Sequence, residues 1–141
     1  MALEQGATNA FATGLMNGVY NFTTNSFKMA LYTGAATLGP DTAVYTAGIT
    51  GEVVATGYTA GGIALPVSVT PTSANNVTYI SFSNVTWYGN ITARGALIYK
   101  YDGVTNPTVC VLDFGSDKTS IVSLTVQFPT ANSSNAIIRI T

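Results

Sequence analysis

The sequence predicts an all-β fold: an antiparallel β-sandwich or jelly-roll-like barrel with a short N-terminal helix or arm. Three observations carry this expectation. Bulky apolar residues alternate with other residues over many short segments. Clusters of Gly, Pro, Asn and Asp punctuate those segments at the short, regular spacing of sandwiches and barrels. Strands do not alternate with long helical patterns, so a doubly wound parallel sheet is not expected.

The elements follow in order. Leu3, Ala7, Ala10, Phe11 and Leu15 recur near helical spacing, which predicts an irregular helix from Ala2 to Met16, weakened or stopped by Gly14 and Gly18, that is either an arm reaching a neighbour or a plug on the domain's own core. Phe27, Met29 and Leu31 alternate with Lys28, Ala30 and Tyr32. Val77, Tyr79 and Ser81 alternate with Thr78, Ile80 and Phe82, so that strand carries bulk on both faces. Val122, Leu124, Val126 and Phe128 form the cleanest one-face pattern. Further strands are expected at Glu52–Ala55, Ile63–Val69, Val85–Tyr88, Ala96–Tyr101, Thr108–Phe114 and Ala136–Ile140. Turn chemistry separates them at Leu38-Gly39-Pro40-Asp41, Ala60-Gly61-Gly62, Asp102-Gly103 and Gly115-Ser116-Asp117. Pro66 argues for an edge position or a bulge in its strand. No repeat or linker divides the chain, which gives an N-terminal arm or helix over residues 1–18 and a single β domain over 19–141.

Composition narrows the function. The 141 residues suffice for one domain with its own core. Only 8% of them are charged, where about 25% is usual. Five Lys+Arg stand against six Asp+Glu, so no basic footprint for nucleic acid exists. No Lys/Arg cluster suits an anionic membrane, and no apolar run is long enough to span one. The first residues lack both a basic and an apolar region, so a signal peptide is not expected. The Asn-x-Thr/Ser triplets at Asn21, Asn76, Asn84, Asn90 and Asn132 are read as a by-product of an Asn- and Thr-rich chain. Thr, Ser and Asn coat the surface in place of charge. Such a surface tolerates being covered, because little charge has to be desolvated, and a subunit of a larger assembly is expected.

Chemistry is sparse. There is no His, which removes the commonest general base and metal ligand. No Ser-x-x-Lys replaces it. Cys110 lies in an apolar strand pattern and is expected to be inert core. Asp113 and Asp117 are too few for a calcium loop, and the expected reading is a polar turn with Lys118 as local counter-charge. Gly57-Tyr58-Thr59-Ala60-Gly61-Gly62 lacks the Lys-Ser/Thr of a phosphate loop and is read as a tight connection needing positive φ or close backbone approach. Arg94 is expected to pair with Asp113 or Glu52 and tie two strands together. Trp87, Tyr88 and the other tyrosines suit a subunit interface, with a sugar-stacking platform as the weaker alternative. The chain is not expected to be an enzyme, and no cofactor or metal is expected.

Several phrases taken in order resemble a known family. They are Asn25-Ser26-Phe27-Lys28-Met29-Ala30-Leu31-Tyr32-Thr33, Ala36-Thr37-Leu38, Glu52-Val53 and Thr56-Gly57-Tyr58-Thr59-Ala60-Gly61-Gly62. Thr92-Ala93-Arg94-Gly95-Ala96-Leu97-Ile98-Tyr99, Val111-Leu112-Asp113-Phe114-Gly115 and Phe128-Pro129-Thr130 follow. From about residue 14 onward the succession resembles small proteins encoded in the structural-gene regions of tailed bacteriophages. The resemblance implies a virion structural component, assembled in the host cytoplasm. The expected role is a capsid decoration (cement) protein that bridges and stabilises the shell. Its expected partners are the major capsid protein or another virion protein and further copies of itself, most simply as a trimer. A tail or head–tail junction component (tube, adaptor or fibre-attachment protein) is the alternative, and a glycan-binding module the third. Leu3, Phe11 and Leu15 on the arm, with Trp87 and Tyr88, are the candidate partner contacts.

Overall fold

A computed structural model describes residues 3–140. The protein is mostly β, with antiparallel sheets and one short helix near its N-terminus. Its strands are β1 (Gly6–Ala7), β2 (Phe27–Tyr32), β3 (Ile63–Ala64), β4 (Val67–Ala74), β5 (Val77–Phe82), β6 (Val85–Tyr88), β7 (Thr92–Lys100), β8 (Thr108–Thr119), β9 (Ser123–Val126) and β10 (Ile138–Ile140), and α1 spans Asn9–Met16. Among the described residues no helix is long and apolar enough to cross a membrane.

A five-stranded sheet, ordered β1-β8-β7-β2-β3, forms the middle of the molecule. Strand β2 pairs with β7 over its whole length, from Phe27 opposite Lys100 to Tyr32 opposite Gly95. Successive side chains point to opposite faces. Phe27, Met29 and Leu31 enter a core shared with Phe11, Phe22, Phe82 and Trp87. Ala30 and Tyr32 enter a second core with Leu38, Leu97, Tyr99 and Val111. Both faces of the sheet are covered, which is why Met29, Ala30, Leu31 and Tyr32 are all buried in succession.

The second layer consists of a three-stranded sheet, β10-β5-β4, and the β6-β9 pair. Phe22 and Phe27 stack with ring centroids 4.9 Å apart, and Phe82 meets both edge-on, joining the layers at the first core. The expected Ile63–Val69 strand is broken at Pro66, which has no N–H for the ladder. Its first half is the sheet-edge strand β3, as a proline at that position predicts.

Four boundaries correct the sequence reading. The helix starts at Asn9, where the Thr8 hydroxyl accepts the Phe11 N–H at 3.2 Å. The expected start at Ala2 lies outside the described residues. Residues 3–7 are instead extended: Leu3 bridges Leu38, and Gly6 and Ala7 pair with Val111 and Cys110. Glu52–Ala55 is not a strand and contributes one bridge, from Glu52 to Tyr32. The Gly115-Ser116-Asp117 segment bulges out of β8 rather than ending it, because Gly95 pairs with Asp113 while Ala93 pairs with Lys118. Strand β4 runs on to Ala74 and turns through Asn75 and Asn76, with φ of 52° and 62°. Two consecutive left-handed residues make the tight hairpin turn that fits twisted strands, and Asn tolerates that region well.

Candidate interaction surface

The expected contact residues separate into two groups. Phe11 and Trp87 are buried in the first core, and half-buried Leu3 packs against the second. Trp87 lies 6.4 Å from Tyr58, ring to ring, and is only 4% exposed. Phe11 and Trp87 hold the domain together and are not free to meet a partner, which corrects their reading as contacts; Leu3 keeps part of its side chain exposed. Burial also removes Trp87 from any sugar-stacking platform. Leu15 is partly exposed, and Tyr88 is 72% exposed.

Tyr88 belongs to an apolar end of the molecule that includes residues the sequence reading passed over. It pairs with Ser123 at the start of β9. The next residue, Gly89, donates its N–H to the Val122 carbonyl at 2.8 Å and accepts the Ser120 hydroxyl at 2.7 Å. The Thr56–Gly57 backbone lies against Tyr88 and Gly89 so closely that a Cβ on Gly57 would strike the Tyr88 carbonyl. Ile121 and Val122 are 83% and 74% exposed, and Val54 on the adjoining segment is 98% exposed. Val122 fits the one-face pattern of its strand, yet β9 begins only at Ser123. The Val122 side chain therefore lies in the turn and not over the core. Lone exposed apolar residues are ordinary; several gathered on touching segments mark a contact surface.

Charge is partitioned between the layers. No Asp, Glu, Lys or Arg occurs between Glu52 and Arg94, nor between Lys118 and Arg139. These stretches supply β3 to β6, β9 and the first residue of β10. Arg139 is thus the one charged side chain on the strands of the second layer, whereas Lys28, Arg94, Lys100, Asp113, Asp117 and Lys118 all lie on the central sheet. The spacing of the charges was visible in the sequence. That they fall on one layer becomes visible only once the sheets are known.

The charged groups of the central sheet serve the fold. Arg94 approaches Asp113 at 4.0 Å, so one of its two expected partners is found. Both groups are partly solvated, and such a pair contributes about 0–1 kcal/mol. Asp113 takes its counter-charge from Arg94; Lys118 makes no ion pair among the described residues, contrary to expectation. Glu52, the other expected partner, is held by tyrosines. Its carboxylate accepts Tyr58 Oη–H at 2.7 Å, Tyr45 Oη–H at 3.0 Å and the Gly61 N–H at 2.8 Å. Burial above all, with the Glu52 charge adding to it, raises the pKa of Tyr32, Tyr45, Tyr58 and Tyr99. Asp102 Oδ1 accepts the N–H groups of Val104, Thr105 and Asn106, which holds its carboxyl well below the usual range and closes the β7–β8 loop. Cys110 is buried in the first core and its pKa is pushed up to about 12 by burial, so its thiol stays protonated and inert at neutral pH.

No protein-family model, curated protein or solved structure matches this chain.

Proposed function

We propose that the protein is a structural subunit of a tailed-phage virion, most simply a capsid decoration protein. It docks as a folded domain on the major capsid protein or another virion protein, and its copies brace the shell by bridging neighbouring capsomers. The partition of charge carries this reading. A layer almost free of charge, ending in Tyr88, Ile121 and Val122, is a surface whose burial desolvates few ions and removes apolar side chains from water. The cores of protein interfaces have this composition: poor in charge, with aromatic residues enriched. The sequence resemblance to phage structural proteins supports the same reading, and self-association as a trimer belongs to it.

Copy number in purified particles tests the proposal. Decoration predicts a strong band comparable to that of the capsid protein, and immunogold label spread over the head. A faint band with gold confined to the tail or neck favours the tail or junction role. Particles that lack the chain by mass spectrometry would exclude both.

A further inference from the structure

One side of the sandwich is open. A groove of about 440 Å³ runs there, with Leu112, Asp113 and Phe114 along one wall and Leu124 through Phe128 along the other. Successive residues of a strand point to opposite faces, so consecutive residues on each wall place the groove between strand edges and not over a face. Leu112, Phe114, Leu124, Phe128 and Ile137 pack against the first core here and are only half-buried.

The two edges differ. That of β8 is closed by side chains: Gln5 Oε1 accepts the Asp113 N–H at 3.0 Å, and Asp113 Oδ1 accepts the Gly115 N–H at 2.8 Å. That of β9 is open. The Gly89 N–H reaches the Val122 carbonyl, so by antiparallel alternation Trp87 with Leu124 and Val85 with Val126 form the bonded pairs. The main-chain groups of Thr125 and Gln127 then point away from β6, into the groove. No charged residue, proline or covering strand blunts this edge, as exposed edges usually are blunted. Lys118 also lines the groove, and its ammonium has no ion pair or hydrogen bond among the described residues.

We propose that this groove binds an extended segment of a different polypeptide. The segment adds as a strand to the free edge of β9, sets alternate apolar side chains against Leu112, Phe114 and Phe128, and brings a carboxylate to Lys118. A second copy of this chain is a poor donor. Its segments that join a carboxylate to apolar neighbours are already held: Leu3–Glu4 on Leu38, Glu52–Val53 on β2, Asp113–Phe114 within β8, and Tyr101–Asp102 in the β7–β8 loop, where Asp102 Oδ1 is taken up by three backbone N–H groups. The inference does not depend on the virion reading. A strand this short binds weakly alone, and many copies side by side would make it effective.

The test is an amide NMR titration of the whole chain with synthetic peptides. One alternates Val and Thr and ends in Asp, a second ends in Lys instead, and a third has prolines that block strand pairing. With the Asp peptide, raised to about 1 mM, the Thr125 and Gln127 amides shift. The Lys peptide binds about threefold more weakly, in line with one solvated charge pair, and the exposed substitution Lys118→Glu reverses that order. The proposal is overturned if β9 amides do not move, if the proline peptide binds as well, or if Lys118→Glu leaves the ranking unchanged.

Discussion

Tyr58 and Glu52 are joined by a 2.7 Å hydrogen bond, and the same Tyr58 oxygen accepts the N–H of Leu31 at 3.0 Å. One phenol thereby ties the Gly-rich segment both to a half-buried carboxylate and to the backbone of β2. Tyr58→Phe keeps the ring in the core, leaves the buried Leu31 N–H without its acceptor and takes one of three donors from Glu52, which keeps Tyr45 and the Gly61 N–H. The expected loss is about 1–3 kcal/mol, read as a lower denaturant midpoint at unchanged slope.

Gly62 has φ +83°, and a Cβ there would strike the Met29 carbonyl of β2. Gly103 has φ +77° with nothing within 4 Å of the same position. Gly62→Ala adds a backbone collision to left-handed strain and is expected to cost more than about 3 kcal/mol. Gly103→Ala carries only the strain, about 1–2 kcal/mol. Equal losses in thermal unfolding would contradict this account of the glycines.

Alkali should unfold the domain cooperatively. Burial lifts Tyr20 from the ordinary 10.0 to about 12, and lifts Tyr32, Tyr45, Tyr58 and Tyr99 further, with Glu52 adding to the effect. A pKa raised on folding favours the neutral phenol in the folded state. Its stabilisation is therefore complete below the unfolded value near 10 and is lost as pH climbs toward the folded one. Tyrosinate absorbance from these rings should rise together with the loss of near-ultraviolet dichroism. Ionisation of all the tyrosines near pH 10 with the fold intact would count against their burial.

Removal of residues 1–18 should unfold the domain and not merely free a surface. The segment supplies Phe11 to the first core, Leu3 to the second and β1 to the edge of β8. The loss of Phe11 alone is expected to cost about 3–5 kcal/mol. A truncated chain with an unchanged thermal midpoint would restore the view of this segment as an arm.

The sequence was legible where period and burial agree. Phe27–Tyr32, Val77–Phe82 and Val85–Tyr88 were expected as strands and are found at those bounds, because most of their residues are bulky or β-branched. The Gly57–Gly62 connection has the expected positive φ at Gly57, Gly61 and Gly62. The errors come from long-range pairing. Val53 is buried and Val54 exposed as in a strand, yet the segment makes only the Glu52 bridge to Tyr32. Gly115-Ser116-Asp117 has turn chemistry, but β7 pairs on either side of it and turns it into a bulge. Trp87 looked like interface because a large amphipathic ring suits either a core or a contact. Its register opposite Leu124 faces it inward, while Tyr88, one residue on, faces out. Nothing local in the sequence tells those two neighbours apart.

In the proposed function, the neutral end of the second layer docks the protein on a phage particle. The most direct test is incorporation of a Tyr88→Glu, Val122→Glu double variant into virions, with Trp87→Ala as the control for folding. Both substituted side chains are largely exposed, so the double variant should keep its thermal stability to about 0.5 kcal/mol per site, while Trp87→Ala loses about 3–5 kcal/mol. The double variant is expected to fold normally and to be nearly absent from purified particles, because docking would bury two unpaired carboxylates. Incorporation at the level of the unmodified chain would contradict it.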